Sequence, residues 1–229
     1  VLGRMTTMPL PEDRLMGLVE QLYRNLQGVR EILTDGDVTT VRLVVNAEKM
    51  VIAEARRTYT YLSLFGYHVD AVVVNRLIPD EVADPWFDRW KAVQAEHLRS
   101  VREGFTDLPV LTAPLFDDEL VGAEALGRLA DAVYGGGRVH EILRHDEPLR
   151  LRRVGDGYLL SLSLPFADRG DVEVLQHGEE LYVRVGTYTR SILLSAALRR
   201  CEVTGASLTD GQLEVRFAPP PAAQDQGPR

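Results

Sequence analysis

Two short segments of this sequence combine residue types that could hold a small ligand. The first is Val72-Val73-Val74-Asn75-Arg76-Leu77-Ile78-Pro79, in which an apolar β-branched run ends on an asparagine and an arginine. A carboxamide offers a hydrogen-bond donor and an acceptor side by side, and adenine presents the complementary acceptor and donor on one edge. The second is Ala113-Pro114-Leu115-Phe116-Asp117-Asp118-Glu119-Leu120-Val121-Gly122, again directly after an apolar run. A rigid proline followed by Leu115 and Phe116 could wall one face of a flat ring, while the acidic residues lead into the next helix. Each segment also has a plain structural reading. Asn75 could close a strand by bonding to nearby backbone, and 113–122 could be an ordinary strand-to-helix loop with acidic N-terminal bias.

The elements that would position these segments read as α/β. Leu15, Leu18, Val19, Leu22, Leu26, Val29 and Leu33 recur at helical spacing behind Pro11-Glu12-Asp13, which predicts one long amphipathic helix to about Leu33. Such a face is usually core packing. Val41–Val45 and Val69–Val74 are β-branched strands, with a helix from Glu48 to Phe65 between them and Gly66 placed for a left-handed cap. A further helix is expected between about Pro85 and Gly104, then a strand at Leu108–Ala113 and a helix at Val121–Tyr134. Strand, helix, strand with tight connections makes a right-handed parallel unit, and continuous apolar strands predict a sheet covered on both faces. Three strands are few for such a sheet, and the chain begins with Val1, so a piece of the fold is expected to precede it.

The pattern changes after Gly135-Gly136-Gly137, which reads as a linker or cap. A polar helical stretch is expected from Arg138 to His145. Beyond Pro148 short alternating strands separated by Gly155-Asp156-Gly157, Gly178-Glu179-Glu180 and Thr209-Asp210-Gly211 predict a small antiparallel β-sandwich. The organisation is therefore 1–137 α/β, 138–148 linker, 149–218 sandwich and 219–229 a Pro-rich tail without fixed structure.

Several functions are disfavoured. The 229 residues contain no GxxxxGK[ST], GxGxxG, GxSxG or HExxH motif, and the five histidines lack acidic or cysteine partners at ligand spacing. Cys201 is the single cysteine, so there is neither a disulfide framework nor a cysteine-based metal site. No apolar run approaches the ~20 residues of a membrane-spanning helix. A cytoplasmic protein is the expectation.

Taken together and in order, a strand ending V-V-N-R-x-x-P and a later one ending P-L-x-x-x-E-x-x-G resemble the ArsA-type anion-transporting ATPase family of P-loop NTPases. That family includes the ATPases that target tail-anchored membrane proteins. Val41 to Met50 and Ala53-Glu54-Ala55-Arg56-Arg57 look like the family's preceding strand and helix, and the resemblance covers about residues 8–134. It implies that Asn75, with Arg76 beside it, lies at the adenine of ATP, and that Pro114, Leu115 and Phe116 pack against base and ribose. It also implies ATP with Mg as cofactor, a homodimer or an upstream ATPase half as partner, and a protein client. The family's phosphate loop, switch segments and magnesium ligands have no counterpart here, so this chain alone is expected not to hydrolyse ATP. Arsenite-binding members use clustered cysteines, which Cys201 cannot reproduce. The segments Tyr158–Phe166, Asp171–Val174, Glu180–Val183, Arg190–Leu194 and Ala206–Val215 look like the α-crystallin (small heat-shock) sandwich, which some ArsA-like bacterial ATPases carry at the C-terminus. Without an I-x-I tail, it reads as an interaction or regulatory module. The competing reading of the whole is a non-enzymatic interaction or chaperone-like module. A dinucleotide enzyme is a third, which the missing glycine fingerprint disfavours.

Charge adds one direct expectation. With 26 basic and 34 acidic residues, a formal charge of -8 and no Lys/Arg stripe that stands out, nothing predicts attraction to phosphate backbones. Fluorescence anisotropy with duplex DNA at physiological salt should show no saturable binding; micromolar affinity with a steep salt slope would contradict this.

Overall fold

A computed structural model describes residues 13–220. The expected irregular start, Pro11-Glu12 at the first helix and most of the tail (221–229) lie outside the described residues. Helix α1 (Asp13–Thr34) is followed by strand β1 (Val41–Asn46), helix α2 (Lys49–Phe65) and strand β2 (Val69–Leu77). A single 3₁₀ turn at Pro85–Phe87 enters helix α3 (Asp88–Gly104); strand β3 (Val110–Pro114) and helix α4 (Gly122–Tyr134) complete the α/β part. The three strands form a parallel sheet in the order β1-β2-β3. Gly66 ends α2 at φ 86°, a conformation open to glycine at little cost, and its N–H reaches the carbonyls of Leu62 and Ser63.

Leu43, Val45, Val72 and Val74 form one sheet face and pack with Ile52, Ala55 and Tyr59 of α2 and Val101 and Phe105 of α3. β2 is buried from Val69 to Val74, as a central strand covered on both sides should be. Cover of both faces does not extend to β1, where Val44 is 63% exposed. The long helix α1 forms where its periodicity predicts, yet its apolar side chains do not serve the core: Leu18, Val19, Leu22 and Leu26 are each 57–60% exposed.

The second part is a sandwich of two antiparallel sheets. Strands β4 (Leu149–Val154), β5 (Gly157–Ser163), β9 (Glu202–Thr209) and β10 (Gln212–Ala218) pair in the order β4-β5-β10-β9. Strands β6 (Val172–His177), β7 (Glu180–Val185) and β8 (Tyr188–Leu193) form the other sheet. Leu160, Leu162, Leu181, Val183, Leu213, Val215 and Phe217 meet between them. Gly157 is obligatory at the start of β5, because a Cβ there would lie 2.2 Å from the carbonyl oxygen of Phe217.

The two parts share a helix. Leu64 of α2 is fully buried within the sandwich core, with Tyr61 and Phe65 packed beside it. The Arg190 guanidinium of β8 donates to the Leu64 carbonyl at 2.6 Å, placing a cation at the negative end of α2. Burial, and to a lesser degree the nearby charge of Arg30, lowers the Arg190 pKa to about 10, so the group stays charged at neutral pH. Thr60 Oγ1 donates to the Pro165 carbonyl, and Phe166, at φ 62°, sets its ring against Phe105, with centroids 5.0 Å apart, and against Tyr59.

The expected helix at 138–145 does not form; the segment runs as turns and bends. Its course is set by one buried ion pair. Asp70, with no exposed surface, takes Arg42 Nε and Nη2 at 3.2 Å each and accepts the Leu143 N–H at 3.1 Å. Arg42 also donates to the Tyr134 hydroxyl and to the carbonyls of Val139 and Glu141. Its desolvation would lower the guanidinium pKa, but the hydrogen bonds and charges of Asp70 and Tyr134 outweigh that and hold it above its ordinary value. Backbone bonded to Arg42 and Asp70 cannot close its own helical turns. Truncating one member of such a buried pair typically costs about 3–5 kcal/mol, because the other charge stays buried.

Because α2 lies in both cores, Leu64→Ala should destabilise both parts together by about 2–5 kcal/mol. Thermal unfolding followed by the fluorescence of Trp86 and Trp90 in the α/β part and by far-UV dichroism should shift by the same amount. A shift confined to one signal would mean that the parts fold independently.

Candidate functional site

Parallel strands bring the predicted residues to one sheet end. β2 continues past Val74, so Asn75 and Arg76 lie within its last turn of pairing instead of beyond it; Asn46 of β1 stands opposite Asn75, and Leu77 pairs with Pro114 of β3. Pro114 therefore closes β3, and Leu115 continues the ladder by donating its N–H to the Leu77 carbonyl at 2.7 Å. Asn75, Arg76, Pro114, Leu115 and Phe116 thus come together at the carboxyl ends of the strands, where open α/β sheets bind ligands.

The geometry there is constrained. Asn75 Oδ1 accepts the N–H of Arg76 at 2.9 Å, the local turn bond expected of a strand-closing asparagine. Arg76 sits at φ 58°, uncommon for a residue with a Cβ. This turn is held from outside by Gln94 of α3, whose Oε1 accepts the Ile78 N–H at 2.9 Å and whose Nε2 donates to the Arg76 carbonyl at 3.2 Å. One helical turn earlier, Lys91 Nζ donates to the carbonyls of Asp80 and Val82 at 3.0 and 2.6 Å. Gln94 and Lys91 were not singled out from sequence. Their partners lie 9 to 18 residues away, and a polar side chain on a helix carries no local sign of what it will hold.

Asn75 is half-buried with Oδ1 engaged once, which leaves that oxygen a second lone pair and the Nδ2 hydrogens to offer. Leu115 is 38% exposed and Phe116 is half-buried, so apolar surface is available at the same end of the sheet. The nearest cavity, of about 360 Å³, lies on the α3 side of this turn and is lined by Leu77, Ile78, Pro114, Lys91 and Gln94, not by Asn75 or Phe116. The residues fit the recognition of a base edge. They do not fit a divalent cation: among the described residues no group of three His, Cys, Asp or Glu side chains could hold a metal.

Comparison with known proteins defines the class. The family model described as anion-transporting ATPase matches residues 2–135, and the one described as an HSP20-like domain found in ArsA matches residues 155–217. The chain belongs to the ArsA-type anion-transporting ATPase family, with an HSP20-like domain following the ATPase part. Among its curated relatives, the Aquifex aeolicus protein named "Putative arsenical pump-driving ATPase 1" is 32% identical over 217 residues, covering 93% of this chain and 55% of the relative. The Chlorobaculum tepidum protein named "Putative arsenical pump-driving ATPase" is 38% identical over 207 residues, 90% of this chain and 51% of the relative. "ATPase get3" of Aspergillus niger is 27% identical over 121 residues, 52% of this chain and 36% of that protein. The chain spans about half the length of the first two relatives.

The clamp on the β2 exit can be tested directly. Gln94→Ala leaves the Ile78 N–H and the Arg76 carbonyl without their side-chain partner, a loss of about 1–3 kcal/mol in local stability. Hydrogen exchange should accelerate at Ile78 about tenfold or more while the Val45 amide stays protected; unchanged exchange at Ile78 would remove Gln94 from this role.

Proposed function

We propose that the α/β part supplies the adenine side of the ATP site of an ArsA-like ATPase, and that the HSP20-like part is an interaction module seated on it. The supporting observation is the convergence of Asn75 with Pro114, Leu115 and Phe116 at one end of the parallel sheet, on a turn stiffened by Gln94. In this reading the Asn75 carboxamide accepts from the exocyclic amine of adenine through its second Oδ1 lone pair and donates from Nδ2 to a ring nitrogen. Oδ1 is oriented by the Arg76 N–H, so the amide meets the base in one orientation at little entropic cost. Leu115 and Phe116 cover a face of the ring, and Arg76, exposed at the rim, is free to reach ribose or phosphate.

ATP supplies the phosphoanhydride whose cleavage drives such ATPases. The sequence contains no GxxxxGK[ST] motif, and in this proposal the groups that position phosphate and Mg come from an upstream half or a partner subunit. The exposed Val44 on β1 supports this reading, since an adjoining α/β half would cover that face. No helix among the described residues is long and apolar enough to cross a membrane; a cytoplasmic location belongs to the same proposal. A second reading, binding of a protein client, rests on the uncovered apolar residues of α1.

In the chain assembled with the upstream half or partner subunit of this proposal, Asn75→Ala should weaken ATP binding roughly tenfold to a hundredfold, corresponding to ~1–3 kcal/mol for base polar atoms left without a partner. The preference for ATP over GTP should shrink, while turnover at saturating ATP falls far less. Calorimetric titration with both nucleotides decides it: unchanged affinity and unchanged base preference would make Asn75 a turn residue only.

A further inference from the structure

Strand β4 is an outer edge of the sandwich, and its composition sets it apart from the other edge strands. β4 reads Leu149-Arg150-Leu151-Arg152-Arg153-Val154, three arginines and no acid in a protein of net charge -8. It is the outer strand of its sheet, bonded to β5 alone. Ser163 donates its N–H to the Pro148 carbonyl at 2.8 Å. In an antiparallel ladder hydrogen-bonded pairs alternate, so 150/161, 152/159 and 154/157 also bond across to β5. The N–H and C=O groups of Leu149, Leu151 and Arg153 therefore point outward from the sheet, ready for another strand.

The two faces of this edge differ. Leu149 and Leu151 stand opposite Leu162 and Leu160, on the core side of the sheet, yet Leu151 remains 45% exposed. On the outer side lie Arg150 and Arg152; two strands away on β10, Glu214 lines up with Arg150 and Arg216 with Arg152, and those two pair with each other at 3.8 Å, which leaves the β4 arginines at the edge. Arg150 pairs with Glu147 at 3.1 Å, both side chains mostly exposed, an interaction of the weak, exchangeable kind. Arg152 and Arg153 have no ion-pair partner among the described residues.

We propose that the β4 edge binds an extended segment of a partner protein in which acidic and apolar residues alternate, added as a further strand of the sheet. Backbone bonds to Leu149, Leu151 and Arg153 would give the affinity. Apolar side chains of the segment would extend the cover over Leu151, and acidic ones would meet Arg150 and Arg152, so the pattern acid-apolar-acid is selected by the pleat. A second copy of this chain is a poor occupant. Antiparallel self-pairing centred on Leu151 sets Arg150 against Arg152 twice, and like charges directly opposite are unfavourable. This inference does not depend on the nucleotide site.

The test uses the full chain and a labelled peptide whose centre reads Glu-Val-Glu-Val-Glu. Anisotropy should show saturable binding that weakens with salt. Arg152→Glu should reduce the affinity at least tenfold, and Leu151→Pro, which removes an outward N–H at a position where an edge strand tolerates proline, should abolish it. Far-UV dichroism checks that Leu151→Pro folds. Should it not, the same peptide N-methylated on the edge-facing residues removes the backbone bonds from the other side and should fail to bind. Equal binding of a block-scrambled Glu-Glu-Glu-Val-Val peptide would overturn the proposal in favour of simple charge attraction, and so would no binding at millimolar peptide. Self-association of the chain that Leu151→Pro abolishes would also overturn it, by assigning the edge to a second copy.

Discussion

The structure depends on helix α2 being buried on two sides. One side, through Ile52, Ala55 and Tyr59, closes the parallel sheet; the other, through Leu64 with Tyr61 and Phe65, closes the sandwich. A surface helix of a globular protein normally buries a single stripe. Here the second stripe replaces solvent with the β domain, and Arg190 and Thr60 satisfy polar groups at the contact. The two parts are in consequence continuous through α2, and the orientation of the sandwich follows from the helix that also supports β1 and β2.

A second constraint acts at the opposite end of the strands from the candidate site. Arg42 and Asp70 lie early in β1 and β2, and their ion pair captures the segment after α4 as it crosses toward the sandwich. With that end anchored, the carboxyl ends of the same strands are free to carry loops. The division suits a binding site: rigid pairing and burial through Val74, then a held turn at Asn75–Ile78 in which Arg76 is exposed and Asn75 half-buried. The positive φ of Arg76 is tolerated because Gln94 bonds the backbone on both sides of Leu77.

Much of this was legible in the residues. β-Branched runs marked β1 and β2, Gly66 marked the end of α2, and alternation with glycine turns marked the sandwich strands, because each of these signals is local. The family resemblance, carried by order and spacing at Asn75 and Pro114, agrees with the family the chain matches. What failed depended on distant partners. Residues 138–145 have helical composition but spend their backbone groups on Arg42 and Asp70. The apolar periodicity of α1 predicts a helix and favours core packing, yet Leu18, Val19, Leu22 and Leu26 stay exposed, because periodicity carries no sign of what lies opposite. Leu64 looks like any other apolar position of α2, and nothing near it says that it belongs to a different core. Asn75 shows the same limit at the site: its turn bond to Arg76 is observed, the proposed base-reading role is compatible with it, and the sequence offers both.

The most direct measurement is the response of the Asn75 carboxamide itself. With side-chain amides labelled with nitrogen-15 and the chain assembled with the phosphate-binding half or subunit that the proposal calls for, titration with ATP and with GTP can be followed by NMR. The account predicts that ATP shifts the Asn75 Nδ2 resonances downfield and slows their exchange with water, while GTP at equal saturation leaves them near their free positions. Identical responses to the two nucleotides, or none to ATP when the phosphates are bound, would contradict an adenine-reading role for this strand end.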